Sequence, residues 1–424
     1  MSASTLTHSA RARYGLMGLP LAFVAMPLYV VLPSHYGQTL GVPLSLLGMV
    51  LLGTRLADAF IDPMIGRWVD RLLDSPARAR WMLELAALLL AIGFGALFFP
   101  PGLGTMGLLA WCALTLVITF AAYSVSSVLY LAWGTRLGGD VRQRSRLVAW
   151  REGCGLMGVV LANVLAVQGG MSWTTAALIL ALMAGVWALA QGPQPAAVAS
   201  RHSSHAMSSA DAKGRVAPWQ SQGFRCLMSL FLINGVASAI PATLVLFFIQ
   251  DKLQALAWAP LFLGSYFLAA AASVPWWVKR MKRHGLMPSW AFGMGLSVLA
   301  FACVMLLGAG DTWAYWLVCV ASGWALGADL TIPGTLLTGV VQRAGHGGMG
   351  EGAYAGWWQW ATKLNLALAA GLALPALQAL GYSPGAREPQ ALLALTLAYG
   401  LMPCVFKLTS LLLCWRWRAH AALA

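Results

Sequence analysis

The chain has 424 residues, of which 59% are hydrophobic and only 9% charged. A soluble domain of that length carries roughly 25% charged residues, so the composition excludes a water-soluble globular protein and points to many membrane spans. The formal charge of +14 would suit nucleic acid if it formed one patch, but the basic residues are scattered through short loops between apolar runs, which excludes that partner.

Apolar runs near the roughly 20 residues that cross a bilayer core predict twelve helices, at 14–37, 43–68, 79–99, 106–136, 146–168, 172–191, 224–251, 256–278, 287–307, 313–340, 353–380 and 390–417. The runs are continuous rather than alternating, which favours helices over a β-barrel. The expected class is an all-α membrane protein of two six-helix halves. The halves are residues 1–190 and 224–424, joined by a cytoplasmic linker over 191–223. With the amino terminus inside, most of the 27 basic residues fall on cytoplasmic loops, so both termini are expected in the cytoplasm. The first apolar run has no small-residue cleavage site after it and reads as a retained helix. The seven cysteines show no CxxC spacing and read as packing residues, without disulfides or metal.

The second span contains RLADAFIDPMIGRWVDR. A charge at the centre of a spanning helix costs about 2.5–3.5 kcal/mol, and this span holds Arg55, Asp58 and Asp62. Spacings of three and four place all three on one helical face, which is expected to turn into the bundle. Pro63 weakens the local helix and can free a carbonyl as a further ligand. Two carboxylates one turn apart suit a hard cation or a shared proton; the other reading is a static ion-pair lock with Arg55.

Further along, Tyr130 and Trp133 in SSVLYLAWGT share one side of span four, and Arg151 and Glu152 open span five. The linker is rich in Ser, Ala and Pro and is expected to be disordered or loosely helical; His202 and His205 within it read as solvated. The basic loop GRWVDRLLDSPARAR after span two has a weaker echo, VKRMKRHG, after span eight. Both fit either orientation charges or latches onto neighbouring helices. Asn234 precedes Pro241 in span seven, where a bend is expected. Asp329 lies in GWALGADLTIPGT of span ten and Lys363 in WWQWATKLNLALAAG of span eleven, and a Lys363–Asp329 pair is one way to offset both charges. Glu84 and Lys407 lie nearer helix ends and read as snorkelling or pairing residues.

ADAFIDPMIGRWVDR resembles the helix-two signature of the glycoside–pentoside–hexuronide:cation symporters, the family of melibiose permease within the major facilitator superfamily, where D-A-x-x-D-P-x-x-G recurs. YGLMGLPLAF, DVRQR, NGVASAIPATLVLFF, GADLTIP and ATKLNLALAAG follow in the family's order. The resemblance implies the major facilitator fold and assigns the coupling cation, a proton or sodium, to Asp58 and Asp62. It places Lys363 in the same polar network and matches the helix-five arginine to Arg151. Where the family's sugar-binding or cation-completing acids stand in helices one and four, this chain has Ala22 and Ser126 or Ser127. That departure counts against melibiose-like sugar recognition and favours a proton over sodium.

The function expected is symport of a small organic solute such as a sugar or glycoside. The alternatives are a lysolipid or other amphiphile carrier and an uncoupled facilitator. Arg55, Tyr130, Trp133, Arg151, Asn234, Asp329 and Lys363 are the candidate cavity or substrate residues. No cofactor beyond the ion, no nucleic acid and a monomer in a bacterial inner membrane are expected. No nucleophile, metal or phosphate-loop motif suggests an enzyme.

Overall fold

The computed structural model describes residues 6–32, 35–138, 140–166, 170–194, 217–382 and 385–417. Every regular element among them is helical. In chain order they are α1 (His8–Leu16), α2 (Gly18–Met26), α3 (Leu44–Leu72), α4 (Pro76–Phe98), α5 (Thr105–Leu137), α6 (Val141–Val164), α7 (Gly170–Ala190), α8 (Gln222–Phe247), α9 (Ala259–His284), α10 (Leu286–Val304), α11 (Thr312–Arg343), α12 (Glu351–Ala379), α13 (Pro389–Thr396) and α14 (Met402–Trp417). Single π-helical turns at Pro27–Val31, Phe248–Lys252 and Leu397–Leu401 continue α2, extend α8 and join α13 to α14. Nine helices of the described residues are long and apolar enough to cross a membrane. With the segmented first helix, α3 and α12, they account for the twelve helices expected from the apolar runs.

The helices start where local chemistry allows. Asp140 caps α6 by accepting from the Gln143 backbone N–H at 2.8 Å, satisfying a donor that has no partner within the helix. Ser221 does the same for α8 through the Phe224 N–H at 3.4 Å. Pro76 opens α4 in the first turn, where its missing N–H removes no helical bond. Pro63 and Pro241 fall inside α3 and α8, and both helices run through them. The lost N–H of Pro63 deprives the Ala59 carbonyl of its usual donor without ending the helix, because packing on the buried face outweighs one missing bond.

Two compact units are formed. One comprises Met1–Pro218 with Val341–Trp360, and the other Trp219–Val340 with Ala361–Ala424. In the first unit α2 packs on α6, α5 lies between α3 and α4, and α7 packs on α1, α2 and α4. In the second, α14 packs along α8 and α10, and an aromatic cluster seals the core around Phe248. Phe248 stacks on Tyr399 at 4.4 Å, and the Tyr315 and Tyr399 hydroxyls share a hydrogen bond of 2.7 Å. All seven cysteines are free thiols; five are buried, whereas Cys226 is half-buried and Cys303 exposed, so Cys303 is not a core packing residue. The linker reading at 195–216, with His202 and His205, lies outside the described residues.

Candidate functional site

On α3 the buried positions Thr54, Asp58, Asp62, Ile65 and Val69 recur at helical spacing, so one stripe of the helix faces inward. Asp62 is fully buried and Asp58 is 8% exposed. Arg55 is exposed, so it flanks the acid stripe rather than lying within it. From α5, the Ser124 hydroxyl donates to Asp58 Oδ1 at 2.7 Å. Ser127 donates to the Ser124 carbonyl at 3.2 Å, and Ser126 Oγ is buried with no hydrogen-bond partner. The serine that meets the acid is therefore Ser124, two and three residues before Ser126 and Ser127, which the resemblance matches to the family's helix-four acid. Among the described residues no group of three or more His, Cys, Asp or Glu could hold a metal ion. The acid stripe offers two carboxylates and one hydroxyl, an oxygen-rich set suited to a hard cation or a proton.

The same unit contains a charged cluster at the ends of α3 and α5. Asp70 accepts from the Gly352 and Ala353 N–H groups at 2.6 and 2.9 Å. Its carboxylate thus sits at the N-terminus of α12, where unpaired donors and the helix dipole favour a negative charge. Arg136, 2% exposed, pairs with Glu351, 1% exposed, at 3.3 Å, and donates to the Leu73 carbonyl at 2.5 Å. This is a latch of the kind considered for the GRWVDR loop, with Asp70 as its acid. Nearer Asp62 the backbones of α3 and α12 touch. A Cβ on Gly66 would fall 2.3 Å from the Gly352 carbonyl oxygen, and one on Gly356 would fall 2.5 Å from that of Asp62.

Tyr130 and Trp133 are buried in α5. The Tyr130 hydroxyl donates to the Tyr14 carbonyl at 2.8 Å, with the two rings 4.7 Å apart. The Trp133 indole N–H donates to the Pro193 carbonyl at 3.0 Å. Both aromatic residues thus tie helix ends within the unit. Arg151 is half-buried and pairs with its neighbour Glu152 at 2.6 Å.

The second unit holds a separate polar network. Asp329 Oδ1 accepts from the Asn234 side-chain N–H at 2.9 Å and the Trp290 indole N–H at 2.8 Å. Oδ2 accepts from Ser238 at 3.1 Å and from the Lys407 ammonium at 2.5 Å. Lys407 also donates to Asn234 Oδ1 at 2.8 Å. The ammonium on Asp329 is therefore that of Lys407 on α14, not that of Lys363, which is half-buried on α12. Lys407 is 5% exposed rather than snorkelling, because α14 packs on α8 and α10 and turns this residue inward. Close backbone approach sets the depth of α11: a Cβ on Gly323 would lie 2.2 Å from the Tyr266 carbonyl oxygen. Sequence reasoning singled out Asn234 and Asp329 and allowed Lys407 as a pairing residue, but missed Ser124, Ser238 and Trp290.

The family described as MFS/sugar transport protein matches this chain over residues 13–419. The chain belongs to that family. Two relatives from Escherichia coli (strain K12) are similar to parts of the chain. YagG, provisionally named a glycoside/cation symporter, is 26% identical over 146 residues, which are 34% of this chain and 32% of that protein. The inner membrane symporter YicJ is 25% identical over 165 residues, 39% of this chain and 36% of that protein. Each match thus spans about a third of the relative's length. The crystal structure of a Major Facilitator Superfamily transporter, FucP, in the outward conformation superposes with a TM-score of 0.63 at 12% identity. That superposition covers 95% of this chain and 97% of that one, and at such identity it shows a shared fold alone. Membership of this family of transport proteins, together with the apolar helices, makes the chain an integral membrane protein.

Proposed function

We propose that the protein is a cation-coupled secondary transporter that moves a small organic solute, a sugar or glycoside, together with a proton by alternating access. The observation that carries this reading is the pair Asp58 and Asp62, both buried on one stripe of α3, with Ser124 hydrogen-bonded to the first. Two buried carboxylates in a spanning helix are costly unless a cation offsets them. A proton offsets one with no further ligands, whereas sodium needs a fuller oxygen shell, and the family's acids in helices one and four are replaced here by Ala22 and Ser126 or Ser127. The names of YagG and YicJ, one a glycoside/cation symporter and the other an inner membrane symporter, support both the coupling and the solute class. Sodium is the second candidate ion at the same residues. Arg55, Arg151 and Lys363 remain candidates for lining the solute path, with both termini in the cytoplasm, two six-helix halves and a monomer in the inner membrane.

The test is uptake into proteoliposomes of a panel of radiolabelled sugars, glycosides, organic acids and lysolipids, with imposed proton or sodium gradients. Accumulation of one sugar or glycoside driven by a proton gradient and lost in Asp58→Asn and Asp62→Asn is expected. Undiminished accumulation in both variants would reduce the two acids to a structural role.

A further inference from the structure

The network around Asp329 is built like a cation cage whose occupant is part of the chain. We infer that Asp329 and Asn234 form a monovalent-cation site in the second unit, permanently filled by the tethered ammonium of Lys407. The acceptors converge on one point: Asp329 Oδ2 and Asn234 Oδ1 lie 2.5 and 2.8 Å from Lys407 Nζ. The cage is held from behind. Trp290 and the Asn234 N–H group fix Asp329 Oδ1, and Ser238 braces Oδ2 from the same helix as Asn234.

Donating its N–H to one acid oxygen leaves the Asn234 carbonyl oxygen facing the ammonium, so the orientation of the amide is set by the charge that the cage holds. Asn234 is 3% and Lys407 5% exposed, and the Asp329 side chain is 11% exposed. An acid so placed needs a cation at that point, and here the chain supplies it on a four-carbon stem. The site is independent of the acids on α3 and does not depend on whether uptake is ion-coupled. Its consequence is that the acid of α11 is closed to the coupling ion as long as Lys407 is in place.

The prediction is that removing the stem opens the cage to a soluble cation. Lys407→Ala deletes three carbons and the ammonium, so n-propylammonium is the complementary probe. The full chain is purified in detergent, and thermal unfolding is followed with n-propylammonium, sodium, tetramethylammonium or 1-propanol added. Lys407→Ala is expected to melt several degrees below the wild type. Propylammonium or sodium should raise its midpoint more than that of the wild type, beyond any effect of tetramethylammonium or propanol. Asp329→Asn combined with Lys407→Ala removes both charges and should be insensitive to either cation. Equal responses of the single and double variants to propylammonium and sodium would overturn the inference. If Lys407→Ala fails to accumulate in membranes, recovery of expression in the double variant supports the cage, and failure of both overturns it.

Discussion

Ser124 on α5 donates a hydrogen bond of 2.7 Å to Asp58 on α3, so the first carboxylate of the acid stripe is oriented by a helix other than its own. A hydroxyl in that position can hold the carboxylate and still lend its oxygen to an arriving cation. Proposed roles for Asp58 and Asp62 therefore extend to Ser124.

Ser124→Ala removes one hydrogen bond to a charged group, worth about 1.5–3 kcal/mol. Losing a donor to the carboxylate favours its protonated form. For the proposed proton coupling we therefore expect the proton concentration giving half-maximal uptake to fall roughly ten- to a hundredfold, with Ser124→Thr close to the wild type. Uptake measured against a proton or sodium series checks this, and an unchanged dependence in the alanine variant would detach Ser124 from ion binding.

Trp133→Phe removes the hydrogen bond to the Pro193 carbonyl and leaves part of the buried indole volume unfilled. A loss of about 2 kcal/mol in stability with unaltered uptake is expected. A changed solute affinity would instead return Trp133 to the solute path.

The Arg136–Glu351 pair is almost fully buried, and removing one partner leaves the other charge uncompensated. Glu351→Gln is expected to destabilise the protein by about 3–5 kcal/mol, read as a lower midpoint of thermal unfolding. Arg136→Met combined with Glu351→Gln should lose less than the sum of the two single changes.

Asp70→Asn preserves the shape of the cap on α12 but removes its charge and one of the two acceptors facing the Gly352 and Ala353 N–H groups. A cost of about 1 kcal/mol is expected, and Asp70→Ala, which also deletes both acceptors for Gly352 and Ala353, should lose more. Thermal unfolding of the two variants in parallel checks this order.

Much of the architecture could be read from the chain because bilayer thickness imposes a length on apolar runs, and the second, third and eleventh expected spans overlay α3, α4 and α12 within a few residues. The acid stripe was also legible, since the spacing of Asp58 and Asp62 alone puts them on one face. Partners across helices were not. Whether Lys363 or Lys407 meets Asp329 depends on the rotation of α12 and α14 about their axes, and nearly uniform apolar surroundings leave that rotation unmarked. Arg55 shows the same limit, since a residue three positions from Asp58 can stand at the exposed edge of a stripe that periodicity assigns to the interior. Ser124 was hidden among three serines within four positions, any of which could face α3.

The contact between Gly356 and the carbonyl oxygen of Asp62 gives a residue with no side chain control over one that carries charge. Even a methyl group at position 356 would press on the peptide that carries Asp62 and re-aim its carboxylate without any new bond to it. On the role proposed for Asp62, substitutions at Gly356 are expected to shift the ion dependence of uptake from a position that never meets the ion.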